Sequence, residues 1–138
     1  MREIIFRGKR VDTGEWVEGY YVKGATRHCI FCDLSRYPHY DVIPETVGQY
    51  TGLVDKNGKK IFEGDILSER PPMNETAYIG YVKYDEELAV WRFMIKNDTK
   101  FNGVLLGSYS TSYTVLGNIH DNKELLEVHN VTENRDSL

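Results

Sequence analysis

Two carboxylates, Glu63 and Asp65, stand two residues apart at the end of a glycine-rich run. At strand spacing they share one face, where paired carboxylates can perform acid–base work or hold a hard cation. The plainer role is structural, with Asp65 accepting backbone N–H groups where the chain turns at Gly64. No nucleophile or third ligand accompanies the pair, so the structural role is the expectation. Gln49, Tyr50 and Thr51, together with Asn118 and His120, are polar residues beside glycines. They would line a ligand cleft if the last strand ran beside the central one. As sheet-end hydrogen bonds they would answer the rule that buried polar groups are satisfied, and that reading is preferred. The candidate binding residues are therefore Gln49, Tyr50, Thr51, Glu63, Asp65 and Asn118, with no catalytic residue, metal ligand or cofactor assigned.

Cys29 and Cys32 form His-Cys-Ile-Phe-Cys, a spacing used by redox pairs and zinc sites. A redox pair sits at a helix N-terminus, whereas Arg27 to Asp33 reads as a strand. Zinc would need two further ligands, and only histidines such as His28 or His39 are at hand. Residues three apart on a strand also point to opposite faces. Ordinary core or half-buried cysteines are the expectation. No phosphate-binding glycine loop, Gly-x-Ser-x-Gly or His-Glu-x-x-His pattern is present.

The 138 residues suit one domain or two small subdomains, and a chain of this length buries a sufficient core without disulfides or metal. A formal charge of −4 opposes broad binding to nucleic-acid phosphates, which requires clustered Lys and Arg. No run is long and apolar enough to cross a membrane, and the opening residues do not form a signal peptide, so a cytoplasmic location is expected. The ten tyrosines favour pleated, half-buried surfaces and also suit interfaces.

About eight short strands, separated by turn signals, must position these groups. Glu3 to Gly8 and Glu15 to Lys23 read as a hairpin, with Gly19 marking a bulge or a close backbone approach. Asp41 to Ile43 is extended, and Pro44 to Val47 is a turn or a single helical turn. Asn57-Gly58, between Leu53-Val54 and Ile61-Phe62, signals a tight hairpin through a type I′ turn, its tip solvated by Asp55, Lys56, Lys59 and Lys60. A strand starts at Gly64-Asp65. Tyr78 to Tyr84 and Leu88 to Lys96 alternate as a second hairpin, with Trp91, Phe93 and Ile95 on one face. A weak strand at Val104 to Leu106 and a strong one at Tyr113 to Ile119 follow. Asp121 to Leu126 reads as a short helix with an Asx cap. The expected architecture is mainly β, or α+β with little helix: an antiparallel barrel or sandwich with an SH3-like C-terminal part. Residues 1–127 would form one β-rich domain, with subdomains 1–47 and 48–127, and residues 128–138 a polar, flexible tail.

Thr46 to Leu53, Asp55-Lys56-Asn57-Gly58 and Ile61 to Ile66 resemble the YopX family of phage and prophage proteins. So do the opening Arg2 to Arg7 and the ending Val115 to Ile119, with Asn122 and Glu124-Leu125-Leu126. The resemblance implies a β-rich fold in a bacterial host cytoplasm and carries no catalytic residue with it. The expected function is a non-enzymatic accessory module that binds a host or phage protein or assembles with itself. The alternative is a nucleic-acid-binding small barrel that uses Lys56, Lys59 and Lys60 with Tyr81 or Trp91 as a stacking platform. An enzyme built on Glu63 and Asp65 ranks last.

Overall fold

The computed structural model describes residues 1–33, 38–69, 78–95, 103–107 and 112–127. Its strands are β1 (Phe6–Lys9), β2 (Trp16–Lys23), β3 (His28–Phe31), β4 (His39–Asp41), β5 (Gly48–Val54), β6 (Lys60–Phe62), β7 (Asp65–Glu69), β8 (Tyr78–Asp85), β9 (Val90–Ile95), β10 (Val104–Leu105) and β11 (Tyr113–Asn118). Pro44–Thr46 forms one 3-10 turn, and residues 124–127 form a short helix. The strands make two antiparallel sheets, ordered β4-β3-β2-β1-β5-β6 and β10-β9-β8-β7-β11. Neither order closes on itself among the described residues, so the expected barrel or sandwich is resolved as two open antiparallel sheets. Among the described residues no helix is long and apolar enough to cross a membrane. The expected flexible tail, 128–138, lies outside the described residues.

The chain divides into two compact units, Met1–Gly52 and Leu53–Leu138. In the first, β1 and β2 pair as expected, with Phe6 opposite Gly19 and Lys9 opposite Trp16. Glu3 to Ile5 precede the strand, which starts at Phe6. Gly19 is a close approach: a Cβ there would lie 2.2 Å from the Phe31 carbonyl oxygen of β3, a distance no side chain tolerates. Ile30 and Val42 are fully buried and form the apolar centre of this unit. The proline turn is tied to β1 by Thr46, whose hydroxyl accepts the Lys9 N–H at 2.9 Å and donates to the Ile43 carbonyl at 2.6 Å.

In the second unit the sheet buries Ile61, Leu67, Val82, Phe93 and Tyr113 against one another. Trp91 and Ile95 pack on this cluster, so the alternation expected of β9 is present. Each buried aliphatic side chain of this kind contributes about 2 kcal/mol through removal from water. The Asn57-Gly58 hairpin is present, but its turn differs from the expected type I′. Gly58 N–H donates to the Asp55 carbonyl at 3.0 Å, and Asp55 N–H donates to the Lys59 carbonyl at 2.8 Å. Only Gly58, with φ +83°, takes the left-handed conformation; Asn57 does not. This is a three-residue loop with a glycine bulge. The helix is also shorter than expected, because residues 119–121 are spent in a turn before it begins.

Glu69, at the end of β7, is buried opposite Tyr113 on one side and Tyr78 on the other. Burial pushes its carboxyl above the usual glutamate range. A folded-state value above the unfolded one means that stability falls as pH rises from the ordinary glutamate range through the folded value, then levels off. Glu69→Gln is expected to abolish that fall, measured as melting temperature against pH. Identical profiles for the two proteins would show that Glu69 carries no such strain.

Candidate functional site

The central stretch concentrates its carboxylates on its own backbone. Asp55 is 5% exposed, where a solvated hairpin tip was expected. Its Oδ1 accepts the N–H groups of Asn57 at 2.8 Å and Lys59 at 2.9 Å. Its Oδ2 accepts the N–H of Val115 on β11 at 3.0 Å, sixty residues along the chain. The neighbouring Lys56 N–H donates to the Tyr113 carbonyl at 2.9 Å. Burial alone would raise the Asp55 carboxyl, but the N–H bonds from Val115, Lys59 and Asn57, with the Lys59 charge, outweigh it and hold the group below the usual aspartate range. These bonds also explain the turn type, since a side chain that bonds two and four residues ahead draws the intervening backbone into right-handed geometry. An aspartate two residues before Asn-Gly is the signal that could have marked it.

Asp65 is 1% exposed at the start of β7, and its Oδ2 accepts the Phe62 N–H at 2.8 Å across the intervening turn. Glu63 lies inside that turn, half-buried, so the strand register that would align it with Asp65 does not reach it. Gly64 N–H donates to the Val82 carbonyl, and its carbonyl accepts the Ile119 N–H, both at 2.9 Å. Asn118 is the register partner of Asp65 on β11. Its Oδ1 accepts the N–H groups of His120 at 3.0 Å and Asp121 at 2.9 Å, which makes it the cap of the turn leading to the short helix. The structure thus brings Asp65 and Asn118 together at the head of β7 and β11, each engaged with backbone.

Gln49, Tyr50 and Thr51 belong to the first unit. Gln49 is opposite Phe6, Tyr50 is buried with its N–H bonded to the Ile5 carbonyl at 2.9 Å, and Thr51 is half-buried. Cys29 is buried in β3 and donates to Asp41 Oδ1 at 3.1 Å, while Cys32 is exposed just beyond the strand. Burial raises both thiols above their ordinary range, which withholds the thiolate that redox chemistry requires. Among the described residues no group of three or more His, Cys, Asp or Glu is arranged to hold a metal ion. Trp91 is partly buried, packs on the core cluster and makes a T-shaped contact with Tyr84.

Two surfaces remain that the sequence did not single out. One is the β2–β3 part of the first sheet, where Tyr20 and Val22 share a face and are 47% and 49% exposed. Tyr20 is opposite Phe31, whose ring stacks on His39 with centroids 4.8 Å apart. The other is a cleft of about 480 Å³ on the β8–β9 hairpin, walled by Glu63, Lys83, Glu87 and Arg92 with Tyr84 and Met94. Arg92 Nε donates to Asp85 Oδ2 at 2.7 Å, and both side chains are less than a fifth exposed.

Asp55→Ala is expected to cost about 3 kcal/mol, because three buried N–H groups lose a charged acceptor. That corresponds to a fall in melting temperature of about 10 °C. Lys56→Ala at the exposed tip should stay within about 0.5 kcal/mol of the parent. Because the folded Asp55 carboxyl titrates below its unfolded value, its contribution holds at neutral pH and is lost as pH falls through the folded value. Asp55→Asn should therefore flatten the acid limb of the stability curve. Equal melting temperatures for Asp55→Ala and the parent would remove Asp55 from this role.

Among curated proteins no sequence matches the chain. A crystal structure of protein EF1440 from Enterococcus faecalis is similar, with a TM-score of 0.59, 25% sequence identity, and coverage of 91% of this chain and 99% of that one. The profile described as YopX protein matches residues 6–127, which span the Thr46 turn, the Asp55 hairpin, the Gly64-Asp65 strand entry and the Asn118 cap. With nearly the whole described chain inside that match, the protein belongs to the YopX family.

Proposed function

We propose that this chain is a non-enzymatic binding module that works through the exposed β2–β3 face of its first unit, and that its simplest partner is a second copy of itself. The observation that carries the reading is the pairing of Tyr20 and Val22, both about half exposed, beside the Phe31–His39 stack. Aromatic and aliphatic side chains side by side on a sheet face supply the desolvated centre that protein interfaces use. The charge distribution supports a protein over a polyanion. Residues 1–52 carry seven Lys and Arg against seven Asp and Glu, so the whole excess of −4 falls in residues 53–138. A neutral unit bearing both signs offers little to a phosphate backbone.

The structural roles of Asp65 and Asn118, both bonded to backbone N–H groups, weigh against the catalytic reading, and Glu63 lies in the turn before β7. In the second unit a four-strand meander is followed by a fifth strand that returns to pair with the first. That order supports an SH3-like reading of this unit, at the level of fold alone. Membership of the YopX family supports an accessory role for a phage or prophage in a bacterial cytoplasm, with a host or phage protein as the other class of partner.

Light scattering over a concentration series tests the reading. The parent protein is expected to self-associate reversibly, and Tyr20→Glu combined with Val22→Glu is expected to be a folded monomer. A parent that stays monomeric throughout, or a variant that associates equally well, would sink it. Saturable binding of a single-stranded oligonucleotide at physiological salt would favour the nucleic-acid reading instead.

A further inference from the structure

The β8–β9 cleft holds charges of both signs, of which Arg92 and Asp85 form an ion pair at 2.7 Å. Lys83 and Arg92 are direct cross-strand partners, an arrangement of like charges that costs a sheet stability. Asp85 offsets it on one edge only. It takes the Nε–H of Arg92, while its other oxygen accepts the N–H groups of Glu87 at 3.0 Å and Leu88 at 3.2 Å. Asp85 thus engages the guanidinium from its Nε side, and Arg92 lines the cleft. Among the described residues no ion pair joins Lys83 to Glu86 or Glu87, although all three line the same cleft. The volume of about 480 Å³ lies within the range of small-ligand sites.

We infer that this cleft binds a small zwitterion of the free amino-acid class. The terminal nitrogens of Arg92, beside the Lys83 ammonium, match a carboxylate in the two-pronged geometry that guanidinium groups favour. Glu86 and Glu87 match an ammonium group, and Met94 gives an apolar surface for the rest of the molecule. Single-signed ligands fit worse. The carboxylates of Glu63, Glu86 and Glu87 repel a phosphate dianion, and a diamine leaves Lys83 without a counter-charge. The site is separate from the β2–β3 face and does not depend on self-association.

The test is amide chemical-shift mapping of the full chain, titrated with individual amino acids, inorganic phosphate and putrescine at millimolar concentration. At least one amino acid should shift the Lys83, Tyr84 and Arg92 signals saturably, with phosphate and putrescine giving no such saturation. Arg92→Lys keeps the charge but loses the fork, and should weaken binding by about tenfold. If that variant misfolds, Lys83→Ala at an exposed position should weaken binding in the same assay. The inference is overturned if no amino acid shifts these signals, if phosphate or putrescine alone does so equally well, or if the folded variant binds as the parent does.

Discussion

The second unit depends on one buried carboxylate. Asp55 closes its own hairpin through Asn57 and Lys59 and holds that hairpin to β11 through Val115. Closing a contact across sixty residues costs chain entropy that a neutral hydrogen bond barely offsets. An ionised acceptor with three N–H donors does better, because charged hydrogen bonds are roughly twice as strong as neutral ones. Burial of the charge is tolerated for the same reason: each bond that stabilises the ionised form lowers the penalty of removing it from water.

The same use of carboxylates and amides recurs along the motif. Asp65 secures the turn into β7, Asn118 caps the turn out of β11, and the Thr46 hydroxyl ties the proline turn to β1. These three residues and Asp55 all fall within the family match, and each bonds to backbone groups. A family can therefore be recognisable from these positions while they reveal little of its chemistry, since what they specify is the path of the chain. Groups able to meet a ligand lie elsewhere, on strand faces and on the β8–β9 hairpin.

The two units differ in how they treat charge. The first is neutral and presents aromatic and aliphatic surface at Tyr20, Val22 and Phe31. The second carries the whole negative excess and places cations and carboxylates around one cleft. Neutral, partly apolar faces favour association with protein. Clefts lined by charges of both signs favour ligands that carry both.

Strand positions were legible from the sequence because period-two alternation and turn residues are local. Tyr78–Asp85 and Val90–Ile95 show their buried faces directly in the order of their residues. The close approach at Gly19 and the structural use of Asp65 were legible for the same reason, as consequences of nearby chain geometry. Only the tertiary structure decided the rest. The burial of Asp55 followed from β11, which is remote in sequence, whereas the turn type followed from its local bonds to Asn57 and Lys59. Glu63 and Asp65 were separated by a turn that ended the strand between them. The Arg92–Asp85 pair depended on cross-strand register, which no single strand encodes. Local pattern determines which residues can be buried, and pairing between distant strands determines what their polar groups meet once they are.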